Sequence, residues 1–261
     1  MQMTDGKVAL AVGAHADDVE FGMAGTLSLL TKVGFEPHIM TITFCDLDSN
    51  EMTRERIAQI RDKEARSSAT VIGAKYHPPI VPDVMVFYED KLIRRVAAVI
   101  REVQPTIVLL PSLSDYMEDH MNTARLVLTA CFVRGMRNYL TDPPLDMTNQ
   151  DVYLYHAQPV QNRDPLRQFI IPDLFVDITS EMETKLNMIR CYESQWKWLK
   201  DTQGMDNFLE NARSCSRELA QFAPSRMEYA EGFRQHSHMG FSAEDEDLLS
   251  HVLGEKVIKK H

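Results

Sequence analysis

The residues best suited to chemistry lie close to the start of the chain, at His15, Asp17 and Asp18. The apolar run over residues 7–12 comes just before them and is typical of a buried parallel strand. Residues 19–30 follow with apolar side chains at helical spacing. The three polar side chains are therefore expected where a strand ends and a helix begins, which is the edge of an α/β sheet where ligands bind.

The spacing of these residues favours a metal. His15 and Asp18 are three residues apart, so a first helical turn can direct both to the same side. An imidazole and a carboxylate that converge in this way suit a divalent cation such as zinc. Asp17 points elsewhere and is suited to act as a base beside a metal-bound water. The alternative is that Asp17 and Asp18 only stabilise a helix N-terminus, where free N–H groups favour carboxylates.

A third candidate ligand, His120, follows a second apolar strand. Residues 106–110 form that strand, a loop covers residues 113–118, and Asp119 and His120 open a helix predicted to continue from Met121 to Met136. His120 is then expected at the same kind of strand end as His15. Two histidines and one aspartate with an open fourth position are typical of a catalytic metal site rather than a structural one.

These segments resemble the signatures of the PIG-L/LmbE-like zinc de-N-acetylases. Ala14-His15-Ala16-Asp17-Asp18 is similar to the Ala-His-Pro-Asp-Asp motif of that family, and residues 117–120 are similar to its His-Pro-Asp-His motif. The resemblance implies a Rossmann-like fold and a zinc ion on His15, Asp18 and His120. It also implies that Asp17 is the general base.

The chain departs from the family pattern at Ala16 and Met117. Ala16 replaces a proline, which changes only local stiffness. Met117 replaces a histidine that, in the family, helps to stabilise the tetrahedral intermediate and is oriented by the aspartate that corresponds to Asp119. A thioether cannot donate a hydrogen bond, so either another donor takes this role or catalysis is weakened.

Three side chains are candidates for the missing donor. Tyr116 is adjacent to Met117, and His236 and His238 lie in the C-terminal segment. Asp119 would then pair with one of these histidines, or it would cap the helix that follows it.

Two further residues are candidates for substrate binding. The resemblance assigns Arg61 to the sugar, although Arg61 and Glu64 can equally form a solvated ion pair on a helix over residues 53–71. Asp83 follows Pro82 in a loop at the predicted ligand-binding edge. By resemblance it would bind sugar hydroxyls, and the alternative is an aspartate that stabilises a turn.

The whole chain fits one α/β domain of 261 residues, with a core over about 1–140 and C-terminal strands and helices over about 151–261. Strands predicted at 38–44, 106–110, 152–155 and 174–178 alternate with helices at 53–71 and 88–103. This rhythm predicts a Rossmann-like, mostly parallel sheet with helices on both faces. The charged segment from Asp206 onward is predicted to be a helical C-terminal extension.

The composition of the chain limits the classes of partner that it can bind. The net charge of -10 argues against binding nucleic acids or anionic membranes, and no apolar run has the length of a membrane span. The four cysteines have no CxxC spacing, which favours reduced thiols in a cytoplasmic protein.

The sequence therefore predicts a zinc-dependent hydrolase that removes acetate from a small-molecule substrate, an N-acetylated amino sugar. Another divalent metal would suit the same ligands, and the resemblance is compatible with a homo-oligomer. One alternative is a metal- or sugar-binding module that has lost efficient turnover because of Met117. The other is a metal-free nucleotide binder, although the chain has no GxGxxG motif.

Overall fold

An eight-stranded sheet runs through the part of the chain that the computed structural model describes, residues 6–204 and 207–260. The strands are β1 (Val8–Gly13), β2 (Glu36–Thr41), β3 (Lys75–His77), β4 (Ile107–Leu110), β5 (Tyr153–Ala157), β6 (Leu174–Asp177), β7 (Ala230–Gln235) and β8 (Val257–Lys259). Their order across the sheet is β3-β2-β1-β4-β5-β7-β6-β8. The first five strands in this order are parallel, and the last three join antiparallel.

Helices cover both faces of this sheet. They are α1 (Asp18–Gly22), α2 (Ala24–Lys32), α3 (Arg54–Val71), α4 (Asp90–Val103), α5 (Glu118–Val133), α6 (Met182–Ile189), α7 (Glu193–Gln203), α8 (Phe208–Ala220) and α9 (Leu248–Leu253). Side chains of a strand alternate between the two faces. Ala9 and Ala11 of β1 accordingly belong to one core cluster with α2 and α6, whereas Leu10 and Val12 belong to another with α4 and α5. None of the described helices is long and apolar enough to cross a membrane.

The predicted fold class, a mixed α/β protein with one sheet flanked by helices, is confirmed. Two local predictions differ from the structure. The helix expected over residues 19–30 is divided at Met23, where α1 ends and α2 begins. The short edge strand β3, at Lys75–His77, lies outside the predicted strands.

The predicted helical C-terminal extension needs a larger correction. Asp206, where it was expected to begin, lies outside the described residues, and the segment after it contains the strands β7 and β8 as well as α8 and α9. The sequence of β7 conceals a buried strand because it contains the charged residue Glu231 and the small residue Gly232. Both are buried, and a Cβ atom on Gly232 would lie 2.7 Å from Pro172.

The sheet order explains how distant parts of the chain meet. Strands β1 and β4 are parallel neighbours, with Ala9 opposite Ile107 and Ala11 opposite Leu109. Their carboxyl ends therefore lie side by side, and the loops that follow them carry His15 and His120. Neighbouring ends of parallel strands are where α/β proteins bind their ligands.

Candidate metal centre

The predicted ligands His15, Asp18 and His120 converge at this edge of the sheet, with one candidate ligand atom from each within 4.8 Å of the others. Nδ1 of His15 lies 3.2 Å from Nε2 of His120 and 3.6 Å from Oδ2 of Asp18, and Nε2 of His120 lies 3.4 Å from Oδ1 of Asp18. Tetrahedral zinc with bonds of about 2.0–2.1 Å separates its ligands by about 3.3 Å. The donor types and their spacing therefore fit a zinc-sized cation.

The backbone after β1 is shaped to bring His15 and Asp18 together. The N–H of His15 donates to Oδ2 of Asp18 at 2.8 Å. Gly13 ends the strand where a Cβ atom would lie 2.8 Å from Cβ of Asp18, so a larger residue would push the ligand away. Asp17 has a φ of 105°, an uncommon conformation for a residue other than glycine. Such local strain is concentrated at functional sites.

Both histidines are held by carboxylates on their outer nitrogens. Nε2 of His15 lies 3.3 Å from Oδ2 of Asp119, and Nδ1 of His120 lies 2.9 Å from Oδ1 of Asp115. An ionised carboxylate only accepts, so each of these nitrogens carries the N–H. When both rings are neutral, as metal-bound imidazoles must be, their facing nitrogens point lone pairs at each other. A cation between them resolves this repulsion, and carboxylate–histidine–metal chains are the usual way to orient such ligands.

The charges of the site also favour a cation. Burial by itself would lower the pKa of His15, but hydrogen bonds to Asp119 and Asp18 outweigh it and raise that pKa well above its ordinary value. Burial by itself would raise the pKa of Asp18, but His120 and His15 hold it well below its ordinary range. Excess negative charge thus surrounds the space between the ligands.

The predicted base, Asp17, is buried beside the ligands and contacts Arg61. Nη2 of Arg61 lies 3.7 Å from Oδ2 of Asp17 and equally far from Oδ2 of Asp48, and it donates to the carbonyl of Ala16. Burial raises the pKa of Asp17 to about 8; Arg61 opposes this shift, whereas Asp18 and Asp48 add to it. The guanidinium therefore orients the carboxylate and partly compensates its charge.

The two predicted substrate-binding residues are turned toward the protein. Arg61 is 1% exposed and lies 5.3 Å from the ring centroid of Tyr192. Asp83 is buried, and its two carboxylate oxygens accept from the N–H groups of Cys45 and Leu47, both at 3.0 Å. These contacts favour a role for Arg61 in orienting Asp17 and a role for Asp83 in fixing the loop after β2. They do not favour direct contact of either residue with a substrate.

The three candidates for the donor that Met117 lacks have different surroundings. Tyr116 is 65% exposed, and its ring packs edge-on against His120 with the centroids 5.8 Å apart. His236 instead contacts His156, with 3.1 Å between Nδ1 and Nε2. Nδ1 of His238 is buried without a hydrogen-bond partner in the described part of the chain. Tyr116 alone of the three has a described contact with a metal-ligand candidate.

Asp119 neither pairs with the C-terminal histidines nor caps α5, which corrects both expectations for it. Its Oδ2 accepts from the N–H of Val84 at 2.8 Å and from His15, and no side chain caps the N-terminus of α5. Val84 has a φ of 57°, a costly conformation for a β-branched residue. The strained backbone of the loop after β3 thus directs the N–H group of Val84 at Asp119, the carboxylate that contacts His15.

Sequence reasoning missed Asp115 and a buried network beneath Asp17. Asp115 accepts from His120, and also from the N–H groups of Met117 at 3.2 Å and Val160 at 2.9 Å. In the network, Glu20 accepts from the hydroxyl of Tyr192 at 2.8 Å and from Ser68. An acidic residue in the loop just before a candidate histidine ligand was the available signal for Asp115.

Comparisons with known proteins agree with this arrangement. Residues 10–131 match the PIG-L family, described as GlcNAc-PI de-N-acetylase. The chain is 26% identical to 4-oxalmesaconate hydratase of Pseudomonas putida over 88% of this chain and 90% of that one. It is 28% identical to diacetylchitobiose deacetylase of Thermococcus kodakarensis over 74% of this chain and 71% of that one.

A solved structure extends the comparison to the fold. The N,N'-diacetylchitobiose deacetylase from Pyrococcus horikoshii superposes with a TM-score of 0.75 and 23% identity, over 94% of this chain and 89% of that one. The matched region of 10–131 contains the strand ends that carry His15, Asp18 and His120. Taken together, these comparisons show that the chain carries a PIG-L family domain over residues 10–131 and is similar in fold to LmbE-like de-N-acetylases.

Proposed function

We propose that this protein is a metal-dependent hydrolase that removes the acetyl group from an N-acetylated amino sugar. The observation that carries the proposal is the convergence of His15, Asp18 and His120 within 4.8 Å, with the buried carboxylate of Asp17 beside them. Three protein ligands and an adjacent acid are what hydrolysis by an activated water requires.

Zinc is the cation we propose for the site, because two imidazoles and a carboxylate suit it well; other divalent metals would accept the same ligands. His15 would bind through Nδ1 and His120 through Nε2, since Asp119 and Asp115 occupy their other nitrogens. Such a cation supplies Lewis acidity and lowers the pKa of a water toward about 7.

Side chains of the protein supply proton transfer, orientation of the base and hydrogen-bond donation. Asp17, whose ionised form a bound cation would favour, accepts a proton from the attacking water and returns it to the leaving amine, while Arg61 fixes the orientation of its carboxylate. Tyr116 is the donor we propose in place of the family histidine. The ordinary pKa of tyrosine is about 10, so the hydroxyl of Tyr116 is protonated at neutral pH and able to donate.

Hydration of a carbon–carbon double bond is a second candidate function. It is supported by Met117 together with the similarity to 4-oxalmesaconate hydratase over most of both chains. Adding water to an alkene requires an activated water and a base, and it forms no tetrahedral acyl intermediate. The reaction therefore has less need of the hydrogen-bond donor that methionine cannot provide.

The test is an assay of both reactions on one preparation of the full chain. Acetate release would be measured with N-acetylglucosamine and N,N'-diacetylchitobiose, and hydration by ultraviolet absorbance with 4-oxalmesaconate, the compound named in the similar hydratase. We expect acetate release that a chelator abolishes and added zinc restores. Chelator-sensitive hydration without acetate release would favour the second candidate. Bound zinc with neither reaction would favour a binding module without turnover.

We also propose that the protein works in the cytoplasm on a small molecule, as a monomer or a homo-oligomer. The four free thiols, Cys45, Cys131, Cys191 and Cys215, support a reducing compartment. The net charge of -10 speaks against nucleic acid as a partner.

A further inference from the structure

Arg234 of β7 is a partly buried cation whose charge has no acidic partner. Its Nη2 donates to the hydroxyl of Ser112 at 3.3 Å, and its Nε is buried without a hydrogen-bond partner. Among the described residues it forms no ion pair with any carboxylate. Arg101 and Arg134 also lack carboxylates, but their guanidinium groups donate to several backbone carbonyls. Arg234 is left with unused donors and uncompensated charge.

The position of Arg234 relates it to the metal centre. It lies opposite His156 at the carboxyl end of β5, and His156 lies opposite Leu110, the last residue of β4. Arg234 is thus at the same edge of the sheet as the metal ligands, two strands from β4, or about 10 Å at the usual strand spacing. Its guanidinium reaches Ser112, which begins the loop that leads to Asp115 and His120.

The neighbours of Arg234 do not neutralise it. Nδ1 of His156 lies 2.9 Å from the carbonyl of Pro111, so this nitrogen must donate. Nε2 of the same neutral ring then accepts from Nδ1 of His236. Both imidazoles are uncharged in this chain of hydrogen bonds, and neither supplies an acceptor that Arg234 uses.

We propose that Arg234 forms an anion subsite that binds a carboxylate of the substrate, next to the metal centre. A guanidinium can hold a carboxylate with two parallel hydrogen bonds, and it does so more strongly when it is partly shielded from water. The inference rests on the proposed function in one respect: the substrate whose carboxylate binds Arg234 has its reacting group at the metal. Within the proposed function it narrows the substrate to N-acetylated amino sugars that carry an acidic substituent, and within the second candidate function to unsaturated organic acids.

The probe is glutarate, an unreactive five-carbon dicarboxylate, titrated calorimetrically into the zinc-loaded full chain. Its neutral diamide, glutaramide, has the same length without the charge. We expect wild type to bind glutarate more tightly than glutaramide. Arg234→Gln should weaken glutarate binding about tenfold or more, as expected for a charge-assisted hydrogen bond. The glutarate affinity of Arg234→Lys should lie between those of wild type and Arg234→Gln, because an ammonium keeps the charge but cannot form two parallel hydrogen bonds to a carboxylate.

Arg66→Gln is the matched control, since it removes the same charge from an exposed ion pair on α3. It should bind glutarate as wild type does. Equal glutarate affinities for wild type and Arg234→Gln would overturn the subsite, as would tight glutaramide binding or no glutarate binding at all. If Arg234→Gln does not fold, the deciding variant is Arg234→Lys. A glutarate affinity of Arg234→Lys equal to that of wild type would then overturn the subsite.

Zinc content, measured in the same samples, separates this inference from the proposed function. Selective glutarate binding without any turnover would retain the subsite and reject the hydrolase. Loss of zinc together with loss of glutarate binding in Arg234→Gln would mean that Arg234 only supports the loop after β4, and it would reject the subsite.

Discussion

The carboxylate of Asp115 accepts a hydrogen bond from Nδ1 of His120 at 2.9 Å. This contact fixes the tautomer of the imidazole and turns the lone pair of Nε2 toward Asp18 and His15. Asp119 does the same for His15 from the opposite side. The candidate metal centre thus consists of two carboxylate–histidine pairs that meet at Asp18, the one carboxylate among the proposed ligands.

Replacing Asp115 with asparagine should weaken metal binding. An amide accepts a weaker hydrogen bond than a carboxylate, and loss of such an outer partner typically costs 10- to 100-fold in affinity. Zinc affinity would be measured by competition with a chromophoric chelator. Asp62→Asn, which removes an exposed charge on α3, is the control and should bind as wild type does, while His15→Ala should lose zinc altogether. Undiminished affinity in Asp115→Asn would remove Asp115 from the centre.

Asp17→Asn should keep the metal and lose turnover. The amide is nearly isosteric, so His15 and Asp18 stay in place, but it cannot accept the proton of water. The rate should fall by about 10²–10⁴, the usual contribution of a general base. Asp48→Asn is the companion variant, because Asp48 shares the partner Arg61 and should lose much less. An Asp17→Asn enzyme with wild-type turnover would exclude Asp17 as the base.

Gly13→Ala should disturb the ligand loop although Gly13 itself binds nothing. A Cβ atom there would lie 2.8 Å from Cβ of Asp18 and 3.1 Å from the carbonyl oxygen of His15. Overpacking of this kind typically costs about 1–3 kcal/mol, and it displaces a ligand directly. We expect a lower melting temperature and weaker zinc binding. Gly6→Ala, where a Cβ would meet nothing within 4 Å, should change neither. An unaffected Gly13→Ala variant would show that the loop can relax.

Acid should destabilise the fold in part through His156. Burial, with His236 and Arg234 nearby, lowers its pKa to about 4, against about 6.5 in the unfolded chain. The neutral imidazole is therefore preferred in the folded state. Its contribution is complete above pH 6.5 and is lost as the pH falls from 6.5 toward 4, by about 3 kcal/mol at most.

Urea unfolding at pH 7.5, 5.5 and 4.5 would measure this dependence. His156→Gln cannot take up the proton, so its free energy of unfolding should fall less steeply with acid than that of wild type, although it starts lower. Equal slopes for the two proteins would contradict the assignment. His251→Gln replaces an exposed histidine instead and should follow wild type.

Much of this architecture could be predicted because its signals are local. Buried parallel strands are apolar throughout, so β1 is visible as a short run of valine, alanine and leucine, and β4 as one of isoleucine, valine and leucine. Each run is followed directly by polar residues and then a helix, and this order alone predicts that His15, Asp18 and His120 share one edge. The structure brings them together as that order implies.

The remaining features depend on contacts between residues far apart in the chain. Nothing near Asp119 indicates that it supports His15, 104 positions earlier. The sequence allows Arg61 either to bind the sugar or to form a solvated ion pair with Glu64, whereas in the structure Asp17, Asp48 and Tyr192 enclose it. The sequence does not indicate strand β7, because Glu231 near its start is charged and the partners that satisfy this acid lie on other elements.

That acid, Glu231, has a consequence for how the chain can be divided. Its carboxylate accepts hydrogen bonds from the N–H groups of Gly25 and Thr26 at the start of α2. Its partner Lys185 donates to the carbonyl of Phe21 at the end of α1. Both residues lie beyond the segment that matches the family. A truncated protein ending after α5 would hold all three proposed metal ligands but lose the anchors of the helix that begins at Asp18. The matched segment is therefore a recognisable signature rather than an autonomous folding unit.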